Sequence, residues 1–456
     1  MIWSAKEAAI ATDGKIFSNW RGGKIVFDSR LIEKDDIFIA LPGAKIDSHE
    51  FVADALRQGA AAAIVSKIPD NLENKDKLLL VNNCLQALNS MALYKRNRSQ
   101  AKFIAVTGSV GKTSTKEQLK LAFEAHGKTF VSRGNYNNFL GVPINLASMP
   151  DDTEFAIFEI GMDHAGEIEP LSKMVKPYVA IITAIDNIHI ANFNSLEALA
   201  KAKAEIFSGL DKQGIVIINS LSNCYDFLCN SASKYKKLLR AGIDSEVLSY
   251  EVKNNQTFVN LRILDRKIPL SFKFIIGQHQ VQNMLITLSC VESLGLDLYK
   301  SAKALEAFEL PRGRGLVLEI KIAGKKITLI DESYNAGPVS MKAALRNMAN
   351  YNGRKLAILG GMVDLGEKSR ELHIALKDDV ALIDKVICYG AQMEDLFNEL
   401  PEEKRLGIYY DHKSLAKGVS DKLLENDILL IKGSFYLTRL FEFTRYLIED
   451  KLEEIK

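Results

Sequence analysis

The sequence predicts an α/β protein of three modules, and three observations carry that expectation. Apolar, β-branched runs of strand length recur between stretches of helical period. They are Phe103–Thr107, Phe155–Ile160, Val179–Ile185 and Gly214–Asn219 in the middle of the chain, then Lys326–Asp331, Lys355–Leu359, Lys385–Tyr389 and Asp427–Ile431 towards its end. Strands that alternate with helices pair in parallel, because each parallel pair needs a crossover. A glycine loop follows Thr107, at the strand end where such sheets gather ligands. At 456 residues the chain also exceeds what one hydrophobic core serves. The expected modules are 1–82, 83–312 and 313–456, with the last boundary marked by Pro311-Arg-Gly-Arg-Gly315.

In the first module, Lys24–Asp28 and Asp36–Leu41 read as short strands, Phe51–Gln58 as a helix and Ala61–Val65 as a further strand. Two polar clusters follow strands. Asp28, Ser29 and Arg30 suit either a grip on a charged ligand, since a guanidinium fork matches phosphate or carboxylate, or a capped turn with a solvated arginine. Pro42–Glu50, with Asp47 and His49, is the second cluster. A helix of period near 3.6 spans Leu85–Tyr94, and the basic stretch Lys95–Ser99 after it reads as a solvated linker.

The middle module is organised around Thr107, Gly108, Ser109, Val110, Gly111, Lys112, Thr113 and Ser114, between a buried strand and a helix running to about His126. Glycines let the backbone turn tightly and approach a ligand. Loop N–H groups and the positive end of the helix then face one point, where Lys112 adds a charge and Thr113 a hydroxyl suited to Mg²⁺. The form T-G-x-x-G-K-T is one glycine short of the usual phosphate loop, because position 106 is Val106. Glu159 ends the next strand, and His189 lies in the loop after the one following. Both reach the same sheet edge, either as ligands of a cation or phosphate or as caps and loop residues. Asn135, Asn137 and Asn138 offer amides to a ligand and suit turn formation equally well. Lys203, on the helix expected over Ser195–Phe207, reads from its neighbours as a solvated lysine. Gly277–Asn283 leads into an apolar helix, Met284–Leu294. In the last module, Asp331–Pro338 and Gly360–Gly366 follow strands and form a second ligand-facing rim.

Lys and Arg total 59 against 57 Asp and Glu, a balance that gives no support to a nucleic-acid binder. The five cysteines are scattered without a CxxC, as expected of reduced thiols in the cytoplasm. No signal peptide is expected, and the apolar run Tyr178–Ile185 is too short for membrane insertion.

Assembled, these residues resemble the Mur ligase family over essentially the whole chain. The resemblance rests on Thr107–Thr115, Gly134-Asn-Tyr-Asn-Asn138 with Gly141-Val-Pro143, and Glu159-Ile-Gly161. It continues through His189, Ala202–Phe207, Gly277-x-His279 with Asn283, Gly313-Arg314, the Asp331–Pro338 loop and Lys432-Gly-Ser434. It implies a small N-terminal domain that binds a UDP-linked substrate, a central P-loop ATPase-like domain and a C-terminal Rossmann-like domain. It further implies ATP, two Mg²⁺ ions and an acyl-phosphate route to an amide bond in peptidoglycan precursor synthesis. Gly134–Asn138 and the two C-terminal loops point to the member that joins D-alanyl-D-alanine to UDP-N-acetylmuramoyl-tripeptide, acting as a monomer.

The roles the resemblance implies are specific. Lys112 and the loop backbone hold ATP phosphates, Thr113 and Glu159 hold Mg²⁺, and His189 holds a second ion with a carbamylated Lys203. Asn283 touches adenine, Arg314 the γ-phosphate and Asp331 the ribose. Ser29, Arg30, Asp47 and His49 bind the uridine nucleotide, while Asn135, Asn137, Asn138, Tyr334 and Asn335 face the peptide substrates. The chain departs from the family pattern at Glu332 and Gly337 in D-D-S-Y-N-A-N-P, at Gly361 in L-G-D-M, and at Ser48 in D-G-H. The rival expectations are a sibling amide ligase, such as folylpolyglutamate synthase, and a nucleotide-dependent switch that ligates nothing.

Overall fold

The computed structural model describes residues 1–43, 46–70, 72, 74–186, 193, 195–363, 365–449 and 451. Three principal sheets succeed one another along the chain. The first runs Lys15–Ile16, Leu78–Leu80, Ala62–Val65, Ile37–Ile39, Ile25–Val26, parallel except for its first pair. The cores of the three expected strands survive here, two of them trimmed at both ends and Ala61–Val65 only at its first residue.

The central sheet has nine strands, in the order Arg266–Phe272, Gln256–Ile263, Ser245–Lys253, Lys237–Ala241, Ile215–Asn219, Val179–Ile182, Lys102–Thr107, Phe155–Glu159, Thr129–Val131. The strands before Ser245 all pair in parallel, whereas the last three form an antiparallel meander. The sequence reading left that meander unassigned, although Gln256–Ile263 alternates exposed and buried residues. Its signature is period two with one wet face, which differs from the continuous apolar runs of the buried parallel strands.

The predicted strand Val179–Ile185 ends at Ile182, because the chain beyond it turns to serve the glycine loop. Ser109 N–H donates to the Ala184 carbonyl at 2.6 Å, and the Thr183 hydroxyl donates to the Val110 carbonyl at 2.6 Å. The solvated linker expected at Lys95–Ser99 is corrected as well. The helix runs Cys84–Arg98, and its inner face carries Lys95, which is 5% exposed. The Lys95 ammonium donates to the Ile2 carbonyl at 2.8 Å and to Asp151 at 2.6 Å, and lies 4.9 Å from the Trp3 ring centroid. That helix shares one apolar cluster with Trp3, Phe103 and Phe158, so the first module packs directly on the central sheet.

The third sheet has six strands, in the order Leu316–Ile322, Lys325–Glu332, Ile428–Lys432, Lys355–Gly360, Lys385–Tyr389, Arg405–Tyr409, parallel after an antiparallel first pair. Apolar clusters cover both faces, as a parallel sheet requires. Among the described residues no helix is long and apolar enough to cross a membrane.

Candidate active site

The strand Lys102–Thr107 delivers the chain into the glycine loop, and the helix Lys112–Glu124 receives it. Gly111 stands at φ +89°, and a Cβ there would lie 2.9 Å from the Asn283 amide oxygen. At Gly108 a Cβ would lie 2.0 Å from the Thr183 hydroxyl. The loop is thus pressed between its neighbours with room only for glycine. No side chain caps the helix, so its first N–H groups stand open to an anion. The hydroxyls of Thr107 and Ser109 are buried without a partner, which suits phosphate oxygens as their missing acceptors.

Lys112 folds back over this loop, its ammonium donating to the Gly108 carbonyl at 2.7 Å and reaching that of Ser109 at 3.3 Å. Burial lowers its pKa, with the Arg314 charge adding to the effect and Glu159 opposing it. Phosphate oxygens placed here would favour its charged form.

Glu159 is 2% exposed at the end of its strand. Its Oε2 accepts from the Thr113 hydroxyl at 3.0 Å and its Oε1 from the Asn137 amide at 3.0 Å, while its N–H donates to Ser132 Oγ at 3.0 Å. A carboxylate and a hydroxyl converging beside a phosphate cradle fit Mg²⁺, which takes few protein ligands and completes its octahedron with phosphate and water. His189 lies outside the described residues. Among the described residues no group of three or more His, Cys, Asp or Glu could hold a metal by itself.

Lys203 corrects the expectation of a solvated side chain. The helix Leu196–Ala204, capped by Ser195, turns Lys203 inward until it is 2% exposed, while Lys201 faces solvent. Burial drives its pKa well below the ordinary value, and the nearby Lys112 charge adds to the effect against Asp163 and Glu205. The three asparagines divide. Asn137 holds Glu159, Asn135 donates to the Tyr334 hydroxyl of the C-terminal module, and Asn138 caps a turn by accepting from Leu140 and Gly141 N–H at 3.2 and 3.0 Å.

Arg314 lays its guanidinium 4.7 Å from the Tyr334 ring centroid, and that ring packs against Phe435 and Phe441. Through the bond from Asn135 to this same Tyr334 the third module reaches the central rim. Asp331 is fully buried, accepting from Gly313 N–H at 2.9 Å and from the Ser333 hydroxyl at 2.5 Å. Burial raises its pKa. In this geometry its oxygens brace the Pro311–Gly315 boundary segment. Asn335 is exposed, its side chain bonded to the next N–H at 2.9 Å. Glu332 pairs with Lys432 at 2.8 Å, and at Gly361 a Cβ would lie 2.8 Å from Leu437.

In the first module the capped turn is what forms. Arg30 is 85% exposed and bidentate on Asp28 at 2.9 and 2.7 Å, with Ser29 in the intervening turn. Asp47 accepts from His49 Nδ1 at 2.6 Å and pairs with Lys67 at 2.7 Å, and buried His49 accepts from Ser66 N–H at 3.0 Å. No hydrogen bond or ion pair among the described residues joins these four to the phosphate loop. A separate open depression of about 590 Å³ at the opposite end of the central strands, lined by Arg96, Lys102 and Tyr178, holds none of the expected site residues. The sequence reading missed Ser132, whose hydroxyl anchors the Glu159 backbone.

The family model of the Mur ligase middle domain matches residues 106–291, and that of the Mur ligase, glutamate ligase domain matches residues 318–435. A UDP-N-acetylmuramoyl-tripeptide–D-alanyl-D-alanine ligase from Rickettsia prowazekii is 39% identical over 443 residues, covering 95% of this chain and 97% of that protein. The protein of the same name from Bacillus subtilis is 30% identical, with 94% and 93% covered. Among solved structures, a crystal structure of MurF from Acinetobacter baumannii superposes with a TM-score of 0.84 at 28% identity, covering 99% of each chain.

Proposed function

The chain belongs to the Mur ligase family, and on that premise we infer that it joins D-alanyl-D-alanine to UDP-N-acetylmuramoyl-tripeptide with ATP, forming an amide bond. The observation that carries this reading is the convergence at one rim of Lys112, the Thr113–Glu159–Asn137 chain and Arg314 from the third module.

A free carboxylate resists an amine because its oxygen is a poor leaving group. Transfer of the γ-phosphoryl of ATP to a carboxylate oxygen of the UDP-linked peptide gives an acyl phosphate and ADP. The acceptor's amine then attacks the carbonyl carbon, phosphate departs and a proton is released. Lys112 and the open helix N-terminus hold the phosphates, and Arg314 meets charge on the transferred group. Mg²⁺ held by Thr113 and Glu159 would supply further charge neutralisation. Asn137 keeps the Glu159 carboxylate turned towards Thr113. Asn283 closes the loop from the adenine side.

The finer assignments follow from the same reading. We place the UDP moiety on residues 1–82 near Ser29, Arg30, Asp47 and His49, the nucleotide on 83–312, and closure with 313–456. Tyr334 and Asn335 stand on the facing rim. Lys203 is suited to carbamylation, since burial pulls its pKa well below the ordinary value and so favours the free amine, which adds to CO₂ and loses a proton, giving an anion beside Lys112 that would complement His189 at a second Mg²⁺. Labelling with ¹³CO₂ is expected to give a carbamate resonance that Lys203→Met abolishes; identical spectra would remove that assignment. Five free thiols and a cytoplasmic supply of ATP fit a cytoplasmic enzyme, and one chain carries every residue named, as a monomer would.

Phosphate release tests the ligation reading. It is expected to require UDP-N-acetylmuramoyl-tripeptide and D-alanyl-D-alanine together, with a product of pentapeptide mass. Release indifferent to both substrates favours a switch, and release only with another amino acceptor favours a sibling ligase.

A further inference from the structure

The loop after Thr129–Val131 touches all three modules. Tyr136 packs 5.6 Å from the Phe27 ring of the first, Asn135 donates to Tyr334 of the third, and Asn137 donates to Glu159 at 3.0 Å within the second. The Asn137 carbonyl also accepts from Gly161 N–H at 2.9 Å.

The start of this loop is held by Lys116, one turn beyond Lys112 on the phosphate-loop helix. Its side chain is 1% exposed. The ammonium donates to the Ser132 carbonyl at 2.9 Å, reaches the Gly134 carbonyl at 3.5 Å, and has an oxygen of Glu117 at 3.2 Å. A buried ammonium is costly unless its donors are satisfied, and an apolar side chain fills the same volume without that cost. What an apolar side chain cannot do is hold two carbonyls of the neighbouring loop. Ser132 carries the contact onward, since its hydroxyl accepts the Glu159 N–H at 3.0 Å and its own N–H donates to the Ile157 carbonyl at 2.9 Å.

We propose that Lys116 is a positioning residue of the ligase site: by holding the Ser132 and Gly134 carbonyls it sets the 132–138 loop, through which Ser132 and Asn137 aim the Glu159 carboxylate at Thr113. The strut ties the helix that carries Lys112 and Thr113 to the loop that meets both outer modules. Only the kinetic part rests on the ligase reading.

The test compares full-length wild type, Lys116→Met and Lys116→Arg, with Lys120→Met as a control one turn further along the same helix, where the side chain is 44% exposed. ADP binding is measured by calorimetry with a chelator and with Mg²⁺, and turnover is measured with the full substrate set. Lys116→Met is expected to bind ADP unchanged in the chelator, because Lys112 and the loop backbone are untouched. The strengthening of ADP binding by Mg²⁺, and kcat, are each expected to fall on the order of 10–100-fold, as when a metal ligand loses its outer partner. Lys116→Arg keeps the donors and is expected to recover part of both. A parallel loss of metal-free ADP binding, or no loss of either quantity, would overturn the proposal. Should Lys116→Met fail to fold, Ser132→Ala carries the same test, since it removes the acceptor of the Glu159 N–H. If wild type shows no turnover with these substrates, the ligase reading falls while the ADP comparison still decides the strut.

Discussion

Lys112 concentrates the site's electrostatics in one side chain, held over its own loop by two carbonyls and lowered in pKa by burial. Incoming phosphate oxygens replace those carbonyls and favour its charged form, so the residue acts where charge gathers on the transferred group. Lys112→Ala is expected to cut kcat by on the order of 10²–10³ with the melting temperature unchanged, and a variant that keeps wild-type kcat would remove Lys112 from the mechanism. Legibility at this scale was uneven. Lys112, Thr113 and Glu159 stand at strand ends and in a spaced motif, so position alone pointed to them. Lys203 did not, because Lys201 and Lys203 sit two apart on a helix, face opposite ways, and no local pattern says which face is covered. Asp331 and His49 look like ligand residues in sequence, and in the fold both also brace loops, which no local pattern foretells.

The glycine loop and the C-terminal rim loops each have their own internal supports. Gly111→Ala would place a methyl group against Asn283 at a left-handed φ, at a cost of about 1–2 kcal/mol. ADP affinity measured by calorimetry is expected to fall accordingly, roughly 5–30-fold, and an unchanged affinity would mean that the loop relaxes freely. In the third module, buried His373 accepts from Met362 N–H at 2.9 Å and donates to the Ser369 carbonyl at 2.6 Å, which pins the loop after Lys355–Gly360. Burial lowers its pKa from 6.5, so between the unfolded and folded values the unfolded chain binds the extra proton. Stability is therefore complete above pH 6.5 and is lost as pH falls towards the folded value. Glutamine accepts the same N–H without titrating. Chemical denaturation of His373→Gln across acid pH is expected to give a shallower loss than wild type, by at most about 1.4 kcal/mol per pH unit. Parallel curves would show that the histidine does not titrate there. Element types were largely legible, since buried parallel strands announce themselves as continuous apolar runs. The antiparallel meander Ser245–Phe272 and the basic end of Cys84–Arg98 were not, because their polar residues belong to a wet face in the first and to tertiary burial in the second.

Across the whole molecule, three sheets place their ligand-facing loops so that one short segment, residues 132–138, meets every module. The sequence contained the modules and the two rims. It did not contain their mutual approach, which depends on long-range contacts such as Trp3 Nε1–H to the Ala147 carbonyl at 2.7 Å and Ile25 N–H to Ser148 Oγ at 2.9 Å. Such contacts join residues with no shared local pattern. This assembly is expected to phosphorylate a carboxylate before an amine displaces the phosphate. The direct measurement uses UDP-N-acetylmuramoyl-tripeptide with ¹⁸O in its terminal carboxylate, ATP, Mg²⁺ and D-alanyl-D-alanine, followed by mass analysis of the released phosphate. One ¹⁸O atom is expected in each phosphate formed with ligation. Unlabelled phosphate would show that water, not the peptide carboxylate, attacks ATP, and would contradict that expectation.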